Sequence, residues 1–312
     1  MIHPITFNHM LALALTAFLF LLPLSHQKEG PGIKEQLLSL SKKYFPGNYQ
    51  VLKEYDEEEI ENIAEGDSLE EYIYSVASVV HEGYHQYQST HSSYFEPGVW
   101  YRINDSLSYT VKNFKTFPSI EINTIVAPAI RKKIYRYSDY VGAKEKMLVT
   151  QQFGILGLLE EAIAYYQSFS TAVDLFRFFE DHYGWKNPDP WLSYLGNMAS
   201  YRYSITEFEL FMSWYLQCAK ANHPATYKEI INNSGFRDLA RFLHIASEKL
   251  KAKYNENRAV ILSHFEGKVA VRGNFIMNEV TGMGKGLYDF EVRDMEELLS
   301  APEHKAYLQL LR

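Results

Sequence analysis

Through most of this chain apolar residues recur every three to four positions, the spacing of helices that bury one face. Residues 33–44 form one such stretch, stopped by Phe45-Pro46-Gly47. A second opens at Ser68, where Ser68-x-x-Glu71 has the form of a capping box. Its apolar positions Tyr72, Val76, Val79, Val80 and Tyr84 predict one long helix to Gln88. Between residues 94 and 123 the texture changes. Val99-Trp100-Tyr101-Arg102-Ile103, the turn pair Asn104-Asp105, and residues 107–111 predict a β-hairpin. Helical periodicity then returns over 127–137, 145–166, 170–182, 190–221, 227–232 and 237–254. A strand is expected at 268–275 and a last helix at 294–310. The breaks at 186–190 and 222–224 are too short for domain linkers. The expected fold class is mainly α (formally α+β), one helical domain over residues 28–312 with a small β-hairpin element.

The N-terminus departs from this pattern. Residues 1–27 contain no Asp, Glu, Lys or Arg, and 10–24 are almost wholly apolar. Such a run is shorter than the ~20 residues of a transmembrane helix and fits the apolar region of a signal peptide. No Lys or Arg precedes it, so an uncleaved membrane anchor is the alternative. The protein is expected to be secreted or periplasmic, with no membrane association beyond this segment.

Composition narrows the function. The net charge of −7, without a long basic run, argues against nucleic acid as a partner. Arg131-Lys132-Lys133 reads as a solvated helix face. Cys218 has no cysteine partner and lies in an apolar stretch, so it reads as core.

The chemistry concentrates in His81-Glu82-Gly83-Tyr84-His85, inside the second predicted helix. Residues four apart on a helix are separated by about 40° around its axis, so both imidazoles can share one metal ion. Glu82 is turned about 100° from His81, beside the metal rather than on it. There a carboxylate can act as general base toward water activated by Zn²⁺.

The run from Ser78 to Tyr87 resembles the active-site helix of zincin metallopeptidases. The metzincin group adds a third His after a Gly. Here His91 has the right spacing, but Gln88 stands in place of that Gly. The gluzincin group takes a Glu from a later helix, and Leu158-Leu159-Glu160-Glu161-Ala162-Ile163-Ala164-Tyr165-Tyr166 is similar to its Glu-Gly-x-Ala-x-Tyr run, with Ala162 for Gly. The resemblance implies a zinc metallopeptidase acting on a peptide or protein substrate, with His81, His85 and Glu161 as ligands and Glu82 as general base. Periodicity alone leaves Glu160 and Glu161 open; the resemblance favours Glu161. Thermolysin-like members carry, four residues after the ligand, an Asp that orients a zinc histidine; Tyr165 stands there. Arg202, Tyr203, Tyr165, Tyr166, His182 and His264 are eligible oxyanion donors, and Tyr203 is the candidate chosen.

Two other classes use the same letters. Glu82-x-x-His85 occurs in di-iron carboxylate bundles, but these need a second Glu-x-x-His, and the chain has none. A non-catalytic, zinc-stabilised exported binding protein would need the histidines and have no use for Glu82.

Overall fold

Two long, largely buried helices organise the molecule. In the computed structural model, which describes residues 32–310 except 65 and 67, these span Ile155–Asp174 and Asp189–Asn222. Every position from Tyr203 to Leu216 is buried. A helix buried on every side over about four turns sits inside the protein, and here the others pack around it.

In chain order the helices are α1 (Ile33–Tyr44), α2 (Tyr49–Glu54), α3 (Glu57–Ile63), α4 (Leu69–Tyr72) and α5 (Val76–His91). Strands β1 (Gly98–Asn104) and β2 (Leu107–Lys112) follow, then α6 (Pro128–Arg131), α7 (Val149–Gln152), α8 (Ile155–Asp174) and α9 (Phe176–Tyr183). The remainder comprises α10 (Asp189–Asn222), α11 (Pro224–Asn232), α12 (Ser234–His264), β3 (Val269–Arg272), β4 (Phe275–Asn278), β5 (Gly284–Gly286), α13 (Asp289–Ser300) and α14 (Lys305–Leu310). The fold is mainly α with two small antiparallel sheets, β1-β2 and β3-β4-β5. Helix α8 packs between α5 and α10, and this stack positions the site. Among the described residues no helix is long and apolar enough to cross a membrane. The expected signal segment, 1–27, lies outside the described residues.

The predicted hairpin is present, with its turn at Asp105-Ser106 and Asn104 Oδ1 accepting from the Ser106 N–H (3.0 Å). Several long helices divide. The stretch 68–88 breaks into α4 and α5, because Ser75 turns its N–H and hydroxyl onto the Tyr72 carbonyl (both 2.9 Å); Ser68 makes no side-chain cap. Of 127–137 only α6 is α-helical; Arg131 then folds back onto the Val126 carbonyl and Asn123, and Tyr137–Val141 forms a π turn. Strand 268–275 is a hairpin, turning at Gly273 (φ 59°), and the last helix breaks at Pro302. Conversely, 237–254 is the middle of a longer helix, α12. Cys218 is buried as expected.

Helix 145–166 is cut by Gly154, whose φ of 54° lets α7 turn into α8. A Cβ at Gly154 would stand 2.3 Å from the Phe117 carbonyl and 2.4 Å from the Tyr215 hydroxyl, which are themselves bonded. Gly154→Ala is therefore expected to cost at least ~2 kcal/mol from backbone strain and overpacking. Chemical denaturation checks this, and an unchanged midpoint would contradict it.

The buried acids of α10 are paired. Glu209 accepts from His244 Nδ1 (2.9 Å) and Lys251 Nζ (3.3 Å). The hydrogen bond to Glu209 raises His244 above its ordinary 6.5. A histidine raised in the folded state contributes stability that is complete below the unfolded value and fades as pH rises through the folded one. His244→Gln should thus destabilise the protein more at about pH 5.5 than at about pH 9 in paired denaturation curves. An equal loss at both would exclude a charged His244.

Candidate metal centre

Helix α5 presents His81 and His85 to α8, which answers with two adjacent acids. The ring nitrogens His81 Nε2 and His85 Nε2 stand 3.3 Å apart. Glu161 Oε2 lies 3.4 Å from the second and 3.7 Å from the first. Tetrahedral coordination with donors at ~2.0–2.1 Å sets donor–donor edges of about 3.3–3.4 Å. The three atoms thus form a triangle of the size that one small divalent cation spans. Glu161 Oε2 is buried and has no hydrogen-bond partner among the described residues. A buried carboxylate oxygen aimed at two nitrogens costs free energy unless something cationic binds there.

Glu160, one residue earlier on α8, faces the other side of the same imidazole. Its Oε1 accepts from His85 Nδ1 (2.9 Å), and its Oε2 accepts from the Tyr94 hydroxyl. That fixes the tautomer of His85: Nδ1 carries the proton and Nε2 keeps its lone pair for a ligand. Both glutamates are buried, so each needs this partner. His81 is held differently. Its Nδ1 is buried without a hydrogen bond, with the Ala164 carbonyl nearby but outside bonding geometry. Its ring packs against Tyr165, centroids 4.4 Å apart. Tyr165, four residues after Glu161, orients His81 by packing where thermolysin-like members carry an Asp.

The electrostatics divide the two histidines. Burial, helped by His85 and Arg136, pushes His81 well below its ordinary value, so it is neutral. Burial alone would lower His85 too, but Glu161 and Glu160 hold it well above. For Glu82, burial raises the carboxyl above its ordinary 4.5; His85 opposes and the charge of Glu161 adds. Glu82 still reaches solvent.

A cavity of about 320 Å³ opens beside His81 and Glu82. Arg136, Tyr140, Tyr165 and, from α10, Asn197, Ser200 and Tyr201 line it. Of the six oxyanion donors expected from the sequence, Tyr165 lines this cavity. Tyr203, the sequence-based choice, is not there: its hydroxyl accepts from the Tyr135 N–H (3.0 Å), and it lines a separate cavity against α13. Arg202 pairs with Asp289, His182 with Glu70, and His264 stacks on Trp185. His91 remains in α5, bonded to Glu54 (2.6 Å), and never turns toward the centre. Sequence reasoning passed over Arg136 and Tyr140, which no spacing marked, and Tyr94.

Among the described residues one other group has metal-ligand chemistry, Glu209, His244 and Glu248. The ammonium of Lys251 already bonds both of its carboxylates (3.3 and 2.8 Å), which leaves a metal no role there. No protein-family model, curated protein or solved structure matches this chain.

Proposed function

We propose that this chain is an exported zinc-dependent hydrolase, most specifically a metallopeptidase. The observation that carries the reading is the donor triangle of His81, His85 and Glu161, with Glu82 beside it at the mouth of a cavity. Two imidazoles and one carboxylate leave a coordination position open, the donor set of catalytic rather than structural zinc. Bound there, zinc would supply Lewis acidity toward a substrate carbonyl and toward water. The chain's own groups would do the rest. Glu82, exposed and with its carboxyl raised, takes a proton from the attacking water and passes it to the leaving amine. Glu160 keeps His85 in the ligating tautomer through its Nδ1–H.

Tyr165 and Tyr140 are suited to stabilise the developing oxyanion. Their hydroxyls lie 3.1 Å apart, and Arg136 Nε donates to Tyr165 (3.0 Å), which leaves a phenolic O–H to point into the cavity. Peptide as the substrate follows from the resemblance of the His81–His85 helix and the Glu161 run to gluzincins. Export follows from the charge-free, apolar N-terminus.

The test is metal content and hydrolysis of the full chain. Supplied with zinc, the protein should bind about one ion per chain and cleave members of a fluorogenic peptide library. A chelator should abolish the cleavage, and added zinc should restore it. Full cleavage in the chelator, or failure to bind zinc, would remove the reading. One zinc bound without hydrolysis would favour the zinc-stabilised binding protein instead.

A further inference from the structure

One cationic side chain lines the cavity, and peptide-bond hydrolysis as such leaves part of it unused. Arg136 is 15% exposed in its side chain. Its backbone N–H and Nη1 donate to the two oxygens of Glu207, each at 2.9 Å, and its Nε donates to Tyr165 (3.0 Å). Its Nη2 has no hydrogen-bond partner among the described residues. Glu207 is fully buried on α10 and is not among the residues that line the cavity, whereas Arg136 is. The Tyr203 hydroxyl lies beside Glu207 and fixes the backbone at Tyr135, which braces the same arginine.

A planar guanidinium held by its neighbours at Nε and Nη1, with Nη2 left to donate, can receive a carboxylate through a charge-assisted hydrogen bond. The other residues lining the cavity away from His81 and Glu82, including Ser78, Asn197 and Tyr201, are neutral and polar. A volume of about 320 Å³ lies at the small end of ligand sites, suited to the last residue or two of a chain rather than an extended segment. We propose that Arg136 receives a carboxylate of the substrate, either the chain terminus or an acidic side chain next to the scissile bond. This rests on the hydrolase reading above and names the substrate class of that site.

Three short peptides separate the possibilities: acetyl-trialanine with a free carboxylate, its C-terminal amide, and an amide ending in Glu. The zinc-loaded full chain should cleave a carboxylate-bearing peptide with kcat/KM about 10–100-fold above the neutral amide, the range of a charge-assisted pair. Which acid is preferred tells a terminal carboxylate from a side-chain one. Replacing Arg136→Gln together with Glu207→Gln removes both buried charges, so the cavity is not left with an unpaired one. In that variant the acid-to-amide ratio should collapse toward one, whatever the absolute rate. Arg136→Lys should retain part of the preference.

A second readout needs no turnover. Calorimetry on metal-free full chain should show the acid binding more tightly than its amide in the wild type and not in the double variant. Equal cleavage of all three peptides, with equal binding of acid and amide, overturns the role of Arg136 and leaves the hydrolase reading standing. Cleavage of none of them with zinc bound counts against the hydrolase reading, while the metal-free titration still decides whether Arg136 reads a carboxylate.

Discussion

Glu82→Gln is expected to keep its zinc and lose peptide hydrolysis by roughly 10²–10⁴-fold, the usual contribution of a general base. The amide matches the carboxylate in size, and Glu82 is not among the donor atoms of the triangle, so binding should change little. What it cannot do is accept a proton. Residue 82 is also exposed and part of no ion pair among the described residues, so stability should not fall with activity. Zinc content by atomic absorption, kcat on the best library peptide and a denaturation midpoint, measured on one preparation, check all three together. Hydrolysis at the wild-type rate would mean that some other group moves the proton. Zinc lost along with activity would mean that Glu82 is a ligand, and the assignment of Glu161 would have to be reopened.

The second large effect separates two neighbours on α8. Glu161→Ala should abolish zinc binding at micromolar metal, because it removes one corner of the triangle and leaves two histidines from a single helix. Glu160→Ala should still bind zinc, about 10–100-fold more weakly, as is usual when a group that orients a ligand is lost. Removing Glu160 frees His85 Nδ1 and leaves the Tyr94 hydroxyl only the Leu156 carbonyl, 3.4 Å away. Zinc titration against a competing chelator resolves the two. If Glu160→Ala loses the metal as completely as Glu161→Ala, the two residues exchange roles or share the ion.

That His81 and His85 turn the same way was legible because an i, i+4 spacing on a helix fixes direction without knowledge of the rest of the fold. The choice between Glu160 and Glu161 was not legible from periodicity, and the structure shows why. Both are buried, so an apolar pattern gives neither away, and they meet different atoms of one ring. The helix boundaries at Ser75 and Gly154 depended on a side-chain bond to a local carbonyl and on a positive φ, which compete with helix rather than advertise a stop. Arg136 was hidden for a different reason. It stands between two tyrosines in a segment that reads as helix, and Glu207, 71 residues later, makes it part of the cavity. Tyr203 was misplaced because α10 is buried all round in that stretch. A helix with no polar face gives no sign of which side meets the centre.

The contact that joins the centre links residues 75 apart in the chain, His85 on α5 and Glu160 on α8. At a synthesis rate of ~5–20 residues per second, the histidines precede the carboxylates by roughly 4–15 s. During that interval the nascent chain carries His81 and His85 without the paired acids of α8 that face them. A product that stops short of α8 would have no centre to assemble. The full set of donor side chains is therefore present only once about half of the chain has been made.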